Sequence, residues 1–353
     1  MTLRELKGRD LLSTLDCSTG EVKELVDLAL ELKHGRKRAD LRGLVGVLLF
    51  FNPSVRTRVS CESAMARYGG TAIAIHPGKD TWQFECAEGA VMDAETQEHV
   101  RELAPVLSRM CHFIGVRKSE LIGGGSAAAG APQSYAELAA DEFIGCMREF
   151  AEVPVINLES NRFHPLQGLA DSATMVERLG DPRGKNYVLT WAWHPKSLPV
   201  ATPHSQLLSA ANLGMNVTVL RPPGYGLDRE IMAAAAERAG RLGGSVRESD
   251  DVEGAYRGAH VVCAKSWAAL DYYGRFDEET RAKRSLRAGW IVDEHKLALT
   301  DDAFFMHCLP VRRNVVVSDA VLNSKRSAVI DEAENRLWTA AAVFATLAGN
   351  GVT

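Results

Sequence analysis

A short apolar run that leads directly into a capped helix start constrains this chain more than any other feature. Val45–Leu49 is apolar and partly β-branched, which predicts a buried strand. Residues 59–68 have a helical pattern that ends at two glycines. The segment Ser54–Arg58 between them therefore predicts a helix N-terminus, with Ser54 as the cap and Arg56 in the first turn.

This predicted helix start has the chemistry of an anion site. The first backbone N–H groups of a helix have no intrahelical acceptors, and the helix dipole favours a negative charge there. The guanidinium of Arg56 presents a planar pair of donors that suits phosphate oxygens. The alternative interpretation is an ordinary serine cap followed by two surface arginines, Arg56 and Arg58.

The overall composition limits the partners of this site. The chain has 353 residues, of which 46% are hydrophobic and 24% charged, and a net charge of −4. This gives no basic field for nucleic acid, and no apolar run is long enough to span a membrane. The seven cysteines lack CxxC spacing, which argues against a zinc site or disulfide framework and predicts a cytoplasmic protein with reduced thiols.

Strands alternate with helices along most of the chain, which predicts two doubly wound parallel sheets. The expected first domain is 1–152, with a C-terminal helix at 331–348 that packs back on it, and the expected second domain is 153–330. No GxGxxG motif follows the predicted strand Gly184–Trp191, which argues against a dinucleotide. Other elements expected from the pattern are helices at Asp10–Lys33, Gly89–Met110 and Ser134–Phe150, and strands at Thr71–Ile75, Phe113–Arg117, Val153–Glu159 and Trp290–Val292. The low-complexity stretch 122–132 predicts a surface insert without chemistry.

Several polar residues at predicted strand ends are further candidates, because ligands of parallel α/β sheets bind beyond the strand C-termini. Arg117 is either a second anion contact or a surface ion pair. His164 precedes Pro165 at a helix start and is either a cap or a donor to a carbonyl oxygen, with Gln167 one turn along. Trp82, on a loop with Lys79, is either a packing plug or a contact to a ligand or another subunit.

In the second half of the chain, Lys265 and the pair His307-Cys308 lie at the ends of two predicted strands, His260–Lys265 and Phe304–Cys308. Cys308 has a histidine beside it, but neighbours on a strand face opposite sides. A covalent thiol mechanism is therefore disfavoured relative to packing or polarisation of a substrate oxygen.

Taken in order, four motifs resemble those of the carbamoyltransferase family, which contains aspartate and ornithine carbamoyltransferases: Ser54–Arg58, Arg117, His164–Gln167 and His307–Pro310. The resemblance implies two α/β domains with the active site in the cleft between them. It also implies carbamoyl phosphate as substrate, no metal or organic cofactor, and a homotrimer with shared sites.

The resemblance also assigns roles to residues of this sequence. The expected catalytic residues are Arg56, Thr57, Arg117 and His164. The expected carbamoyl-phosphate contacts are Ser54, Val55 through its backbone, Arg56, Thr57, Arg117, His164, Gln167 and Trp82, the last from the loop of a neighbouring subunit.

The acceptor amine is predicted from the residues near Lys265. A lysine is a poor partner for a free α-ammonium group and a good one for a carboxylate. This points to an acceptor whose α-amine is acylated. The segments Pro77–Trp82, Lys265–Trp267 and Asp331–Arg336, together with Glu159, resemble the N-acylornithine branch of the family. The expected acceptor contacts are Glu159, Lys265, Cys308, Leu309, Arg312 and Gln97.

Two positions leave the acyl group open, because Gln97 and Val316 match neither the acetyl nor the succinyl branch. We expect N-acetylornithine as the acceptor in arginine biosynthesis. N-succinylornithine, ornithine itself, and a non-catalytic metabolite-binding homologue are the alternatives.

Overall fold

The computed structural model describes residues 3–119 and 134–352 of the chain. The stretch 122–132 lies outside these described residues. Contacts divide the chain into two compact units. Among the described residues, the first unit contains 3–119, Leu138–Leu166 and 336–352, and the second contains 134–137 and Gln167–Asn335.

The regular elements alternate as the sequence predicts. The strands are β1 (Val45–Phe50), β2 (Thr71–Ile75), β3 (Gln83–Glu85), β4 (Thr96–His99), β5 (Phe113–Arg117), β6 (Val155–Glu159), β7 (Asn186–Trp191), β8 (Asn216–Leu220), β9 (Ser245–Ser249), β10 (Val261–Lys265) and β11 (Phe304–Met306). The helices are α1 (Thr19–Lys33), α2 (Val55–Arg67), α3 (Val100–Ser108), α4 (Tyr135–Ala139), α5 (Glu142–Phe150), α6 (Pro165–Leu179), α7 (Ala201–Asn212), α8 (Arg229–Arg241), α9 (Val252–Tyr256), α10 (Phe276–Ala282), α11 (Glu294–Ala298), α12 (Asp319–Leu322) and α13 (Val329–Leu347).

The first unit is built on a four-stranded parallel sheet with the order β2-β1-β5-β6. Gly46 on the central strand β1 lies under the side chain of Phe113, which is on the paired strand β5. A Cβ at Gly46 would lie 2.2 Å from the ring of Phe113, so the glycine makes room for this buried aromatic residue. A smaller parallel sheet pairs β3 with β4.

The second unit is built on a five-stranded parallel sheet with the order β11-β10-β7-β8-β9. Its core includes Val188, Val262 and Phe305, all at most 1% exposed. Strands buried on both faces explain the nearly continuous apolar runs in the sequence. The prediction of two doubly wound parallel sheets is confirmed.

The expected domain boundary after residue 152 differs from the division in the structure. Because β6 pairs with β5, the first unit continues to Leu166. The last part of α13 also belongs to this unit, where Phe344 stacks on Phe113 with ring centroids 4.5 Å apart.

Three predicted helices differ from the observed elements. The first begins at Thr19, because Ser18 accepts the Glu21 N–H and the Glu21 carboxylate accepts the Ser18 N–H. The segment predicted as Gly89–Met110 forms β4 and then α3, since Thr96–His99 pairs with β3. The helix predicted at Ser134–Phe150 is broken at Asp141, whose φ is +47°.

One predicted strand is also wrong. Val292, in the segment Trp290–Val292, forms an isolated bridge with Val317 instead. In the described part of the chain, no helix combines the length and apolar character needed to cross a membrane.

Candidate active site

The first sheet has a topological switch point between β1 and β5. The chain leaves β1 toward β2 on one side, and it leaves β5 toward β6 on the other. Phe50 pairs in register with Arg117, so the two strands end together. Such a point is where α/β sheets bind ligands, and here it brings the start of α2 and Arg117 to one edge of the sheet.

The start of α2 is capped as predicted. The Ser54 hydroxyl accepts the N–H of Thr57 at 3.2 Å. The Thr57 side chain is 1% exposed, and its oxygen accepts a hydrogen bond from Arg336 Nη2 at 2.6 Å. A guanidinium can only donate, so the Thr57 hydroxyl keeps its own hydrogen for donation. Arg336, which was not among the predicted site residues, therefore orients this hydroxyl.

Arg117 is paired, but the pair is buried rather than on the surface. Its Nη1 donates to Glu159 Oε2, and the side chains are 8% and 10% exposed. The His164 Nε2 lies 3.6 Å from the same carboxylate oxygen. The Arg117 Nε is buried without a hydrogen-bond partner among the described residues, which leaves a donor for a bound molecule.

Glu159 therefore pairs with Arg117, a role that differs from its predicted contact with the acceptor. Its carboxylate offsets the cost of burying the Arg117 charge. It belongs to the first unit together with His164, not to the second domain as expected.

Trp82 and the segment around Gln97 lie together in the first unit. The Trp82 side chain is 48% exposed, and its indole N–H donates to Glu98 at 2.8 Å. The Asp80 carboxylate accepts the backbone N–H of His76 and closes the preceding turn. Gln97 is exposed on β4 next to Glu98, so its predicted position in a helix is wrong.

The second sheet has its own switch point, between β7 and β10, where Lys265 pairs in register with Trp191. The loop after β7 carries His194, and Arg312 Nε donates to His194 Nε2 at 2.9 Å. Because a guanidinium cannot accept, His194 Nε2 is the acceptor of this bond. The other ring nitrogen, Nδ1, accepts the Lys196 N–H at 3.0 Å and lies 3.1 Å from the Lys196 carbonyl oxygen.

Burial, with a smaller contribution from the charges of Arg312, Lys265 and Lys283, lowers the pKa of His194 to about 4. The histidine is therefore neutral at pH 7. The group of Lys265, Arg312 and neutral His194 is suited to an anion.

The turn after β11 carries the predicted residues Cys308 and Leu309. β11 ends at Met306, so the argument from strand alternation does not apply to His307 and Cys308. The His307 Nδ1 accepts the Leu309 N–H at 2.9 Å. Leu309 has a φ of +52°, a strained conformation that is concentrated at functional sites. Val316, in contrast, is 2% exposed in the apolar core.

Gln167 is held by a cluster that sequence reasoning missed. Its Nε2 donates to Asp171 Oδ1 at 2.7 Å and to Glu332 Oε1 at 3.0 Å. The spacing of Gln167 and Asp171, four residues apart on one helix, is the signal that could have revealed this contact. Glu332 also accepts the backbone N–H of His307 at 2.8 Å.

The predicted site residues thus form separate groups within the two units. The first unit contains Ser54, Val55, Arg56, Thr57, Trp82, Gln97, Arg117, Glu159 and His164. The second contains Gln167, Lys265, Cys308, Leu309 and Arg312.

The chain belongs to the aspartate/ornithine carbamoyltransferase family. The family's carbamoyl-P binding domain matches residues 9–177, and its Asp/Orn binding domain matches residues 199–347.

Within this family, the chain is more similar to some branches than to others. The chain is 42% identical to the N-acetylornithine carbamoyltransferase of Xanthomonas campestris pv. campestris, covering 97% of this chain and 98% of the relative. It is 34% identical to the N-succinylornithine carbamoyltransferase of Bacteroides fragilis, covering 94% and 96% of the two chains. A crystal structure of acetylornithine transcarbamylase complexed with acetylcitrulline superposes with a TM-score of 0.91, at 41% identity and with 97% of this chain and 100% of that chain covered.

The protonation of His194 gives a first prediction. Its pKa of about 4 lies below the value of about 6.5 expected in the unfolded chain. The unfolded chain therefore binds the proton first, and the stability that the neutral ring contributes at pH 7 falls as the pH drops from about 6.5 toward about 4.

Histidine C2–H exchange followed by mass spectrometry measures this pKa directly. We expect a midpoint near pH 4 for His194 and a higher midpoint in Arg312→Gln, since that change removes one neighbouring charge. A midpoint near 6.5, as in model peptides, would contradict the buried, cationic surroundings of the ring.

Proposed function

We propose that this chain transfers the carbamoyl group of carbamoyl phosphate to the δ-amine of N-acetyl-L-ornithine. The products are N-acetyl-L-citrulline and phosphate, and the reaction belongs to arginine biosynthesis in the cytoplasm. The observation that carries the proposal is the capped start of α2 beside Arg117 at the switch point of the first sheet.

Carbamoyl phosphate would bind through both ends of the molecule. In this proposal the phosphate accepts hydrogen bonds from Ser54, the Val55 backbone, Arg56 and Thr57. The buried donors Thr57, Arg117 and His164 contact the carbamoyl oxygen. Gln167 contacts the carbamoyl amine.

The reaction proceeds by attack of the neutral δ-amine on the carbonyl carbon. Negative charge develops on the carbamoyl oxygen, where preorganised donors stabilise it as in an oxyanion hole. The C–O bond to phosphate then breaks, and its electron pair leaves with the phosphate, which Arg56 and the dipole of α2 stabilise. A phosphate oxygen takes the proton that the amine loses. Positioning of both substrates supplies much of the rate.

The acceptor end of the site favours a carboxylate without a free α-ammonium group. Lys265 and Arg312 surround a histidine whose pKa is lowered by burial and by these cations. A free ammonium group in the same place would be repelled. Cys308 and Leu309 lie on the turn after β11, and we propose that they contact the acceptor, together with Glu159 and Gln97.

The acyl group is proposed to be acetyl. Higher identity to an acetyl relative than to a succinyl relative supports this choice. The uncharged Gln97 and the buried Val316 would not attract an additional carboxylate. Because Gln97 would not repel one either, N-succinylornithine is the competing acceptor.

An acceptor panel tests this proposal. Ureido product is measured with carbamoyl phosphate and either N-acetylornithine, N-succinylornithine or ornithine. We expect kcat/KM to be highest for N-acetylornithine. The highest value for N-succinylornithine would change the acyl assignment, turnover of free ornithine alone would refute the argument from Lys265, and no product with any amine would refute the activity.

Arg56→Ala tests the phosphate site, and Arg58→Ala is its matched control in the same helical turn. Arg58 forms an exposed ion pair with Glu62 four residues along, so its loss should have little effect. Loss of the Arg56 guanidinium should lower kcat/KM for carbamoyl phosphate by about a hundredfold or more. Equal kinetics in the two variants would contradict the site.

We further propose a homotrimer in which the Trp82 loop completes the site of an adjacent subunit. Exposed apolar side chains in the first unit support a second copy of the chain as the partner. They lie on α2 and the neighbouring β2: Val55 is 75% exposed, Val59 55% and Ile73 46%. A subunit that covered them would remove this apolar surface from water.

Mixing two inactive variants tests the shared site. Trp82→Ala and Arg56→Ala proteins should each lose activity, while their mixture after subunit exchange should recover part of it. In a mixed trimer, the loop of an Arg56→Ala chain supplies Trp82 to a site that contains Arg56. Sedimentation should give the mass of three chains, and exchange without recovery would place Trp82 in its own subunit's site or outside the site.

A further inference from the structure

A buried pair of carboxyl groups in the second unit contacts Gln167. Asp171 and Glu332 are both 0% exposed, and Asp171 is among the groups that raise the pKa of Glu332. The Gln167 amide nitrogen donates to one oxygen of each, at 2.7 Å and 3.0 Å. Both N–H bonds of this amide are therefore directed at carboxyl oxygens.

The surroundings of this pair disfavour two negative charges. Burial, and then the neighbouring Asp171, raise the pKa of Glu332 well above its usual range. Among the described residues, other titratable groups near the pair include Cys308, Cys263 and Tyr187, and burial raises the pKa of Cys263 and Tyr187 as well. Adjacent buried carboxyl groups of this kind hold one proton between them.

We propose that Asp171 and Glu332 share one proton and act as positioning residues that fix the Gln167 amide. This inference rests on the proposed function, in which Gln167 contacts the carbamoyl amine. With its two N–H bonds committed, the amide directs its Oε1 as an acceptor, which matches the donor character of the carbamoyl –NH₂ group. If the amide were turned over, the –NH₂ group of Gln167 would face the –NH₂ group of the carbamoyl moiety, and two donors would oppose each other.

Glu332 also holds a second part of the unit. Its other oxygen accepts the backbone N–H of His307 at 2.8 Å. The ring nitrogen Nδ1 of His307 in turn accepts the backbone N–H of the strained Leu309. One buried carboxyl group thus connects the orientation of Gln167 with the turn that carries Cys308 and Leu309.

This geometry predicts that conservative changes at the two positions have unequal effects. In Asp171→Asn, the new amide can accept from Gln167 and donate to an ionised Glu332, so it supplies the hydrogen that the shared proton supplies. In Glu332→Gln, one of two accepting oxygens becomes an –NH₂ group. That group then opposes either the Gln167 donor or the His307 N–H, whichever way it is turned.

The test compares kcat/KM for carbamoyl phosphate among these variants. Asp171→Ala and Glu332→Gln should lower it by about tenfold to a hundredfold, because the amide loses its orientation. Asp171→Asn should stay within about threefold of the wild type. Asp331→Asn is the matched control, since Asp331 adjoins Glu332 on α13 but forms an exposed ion pair with Arg178, and its kinetics should not change.

A double-mutant cycle separates positioning from a merely structural role. In a Gln167→Ala background, Asp171→Ala should cause no further loss of kcat/KM, although it still lowers the melting temperature. Additive losses, or an Asp171→Asn variant as damaged as Asp171→Ala, would overturn the proposal. If the wild type is active and the losses are additive, the positioning role alone is refuted. If the wild type shows no carbamoyl transfer at all, the proposed function and this role are refuted together.

An infrared measurement reads the shared proton independently of activity and of the foldability of Asp171→Ala. The wild type at neutral pH should show the carbonyl band of a protonated carboxyl group, and this band should disappear in Asp171→Asn and in Glu332→Gln. A spectrum that is identical in the wild type and both variants would overturn the shared proton.

Discussion

Parallel pairing of strands is the constraint on which the candidate site residues of each unit depend. It brings the carboxyl ends of neighbouring strands to the same edge of a sheet, in register. At β1 and β5 this juxtaposes the start of α2 with Arg117, and at β7 and β10 it juxtaposes Lys265 with the loop that carries His194. The candidate residues of each unit are concentrated at such a point because the strand order reverses there, so that the connections leave on opposite sides.

The charged side chains of the two units differ in their partners. In the first unit, Arg117 is buried against Glu159, and Arg336 donates to Thr57. These contacts hold donors in fixed directions before any substrate binds, so less reorganisation is needed during the reaction. In the second unit, Lys265 and Arg312 surround a neutral histidine, an arrangement that a bound carboxylate would balance.

The sequence was most informative where local physical chemistry determines structure. The apolar run before Ser54, the cap itself and the helix that starts at Pro165 all follow from short-range rules. It was least informative where tertiary pairing decides. Thr96–His99 extends as a strand because β3 is beside it, although the acids Asp93, Glu95 and Glu98 in this part of the chain are typical of a helix start.

The same limit applies to the site. Motifs in the sequence identified Arg117, His164, Gln167 and Lys265 as candidates, but not the residues that orient them. Arg336 and Glu332 reach Thr57 and Gln167 across more than 150 positions of sequence. No local pattern reports such contacts, because they depend on how distant elements pack. Asp171, four residues from Gln167, is the exception that periodicity could have shown.

The first unit is discontinuous, and this has a consequence for how the protein is made. The second unit lies almost entirely in one stretch, Gln167–Asn335, whereas the first needs residues from 336 onward. During synthesis on the ribosome, two contacts of the first unit can form only after nearly the whole chain has been translated. These are the stacking of Phe113 on Phe344 and the hydrogen bond from Arg336 to Thr57. A truncated chain that stops before Arg336 therefore contains every motif residue that we propose to bind phosphate, and it still lacks the arginine that hydrogen bonds Thr57.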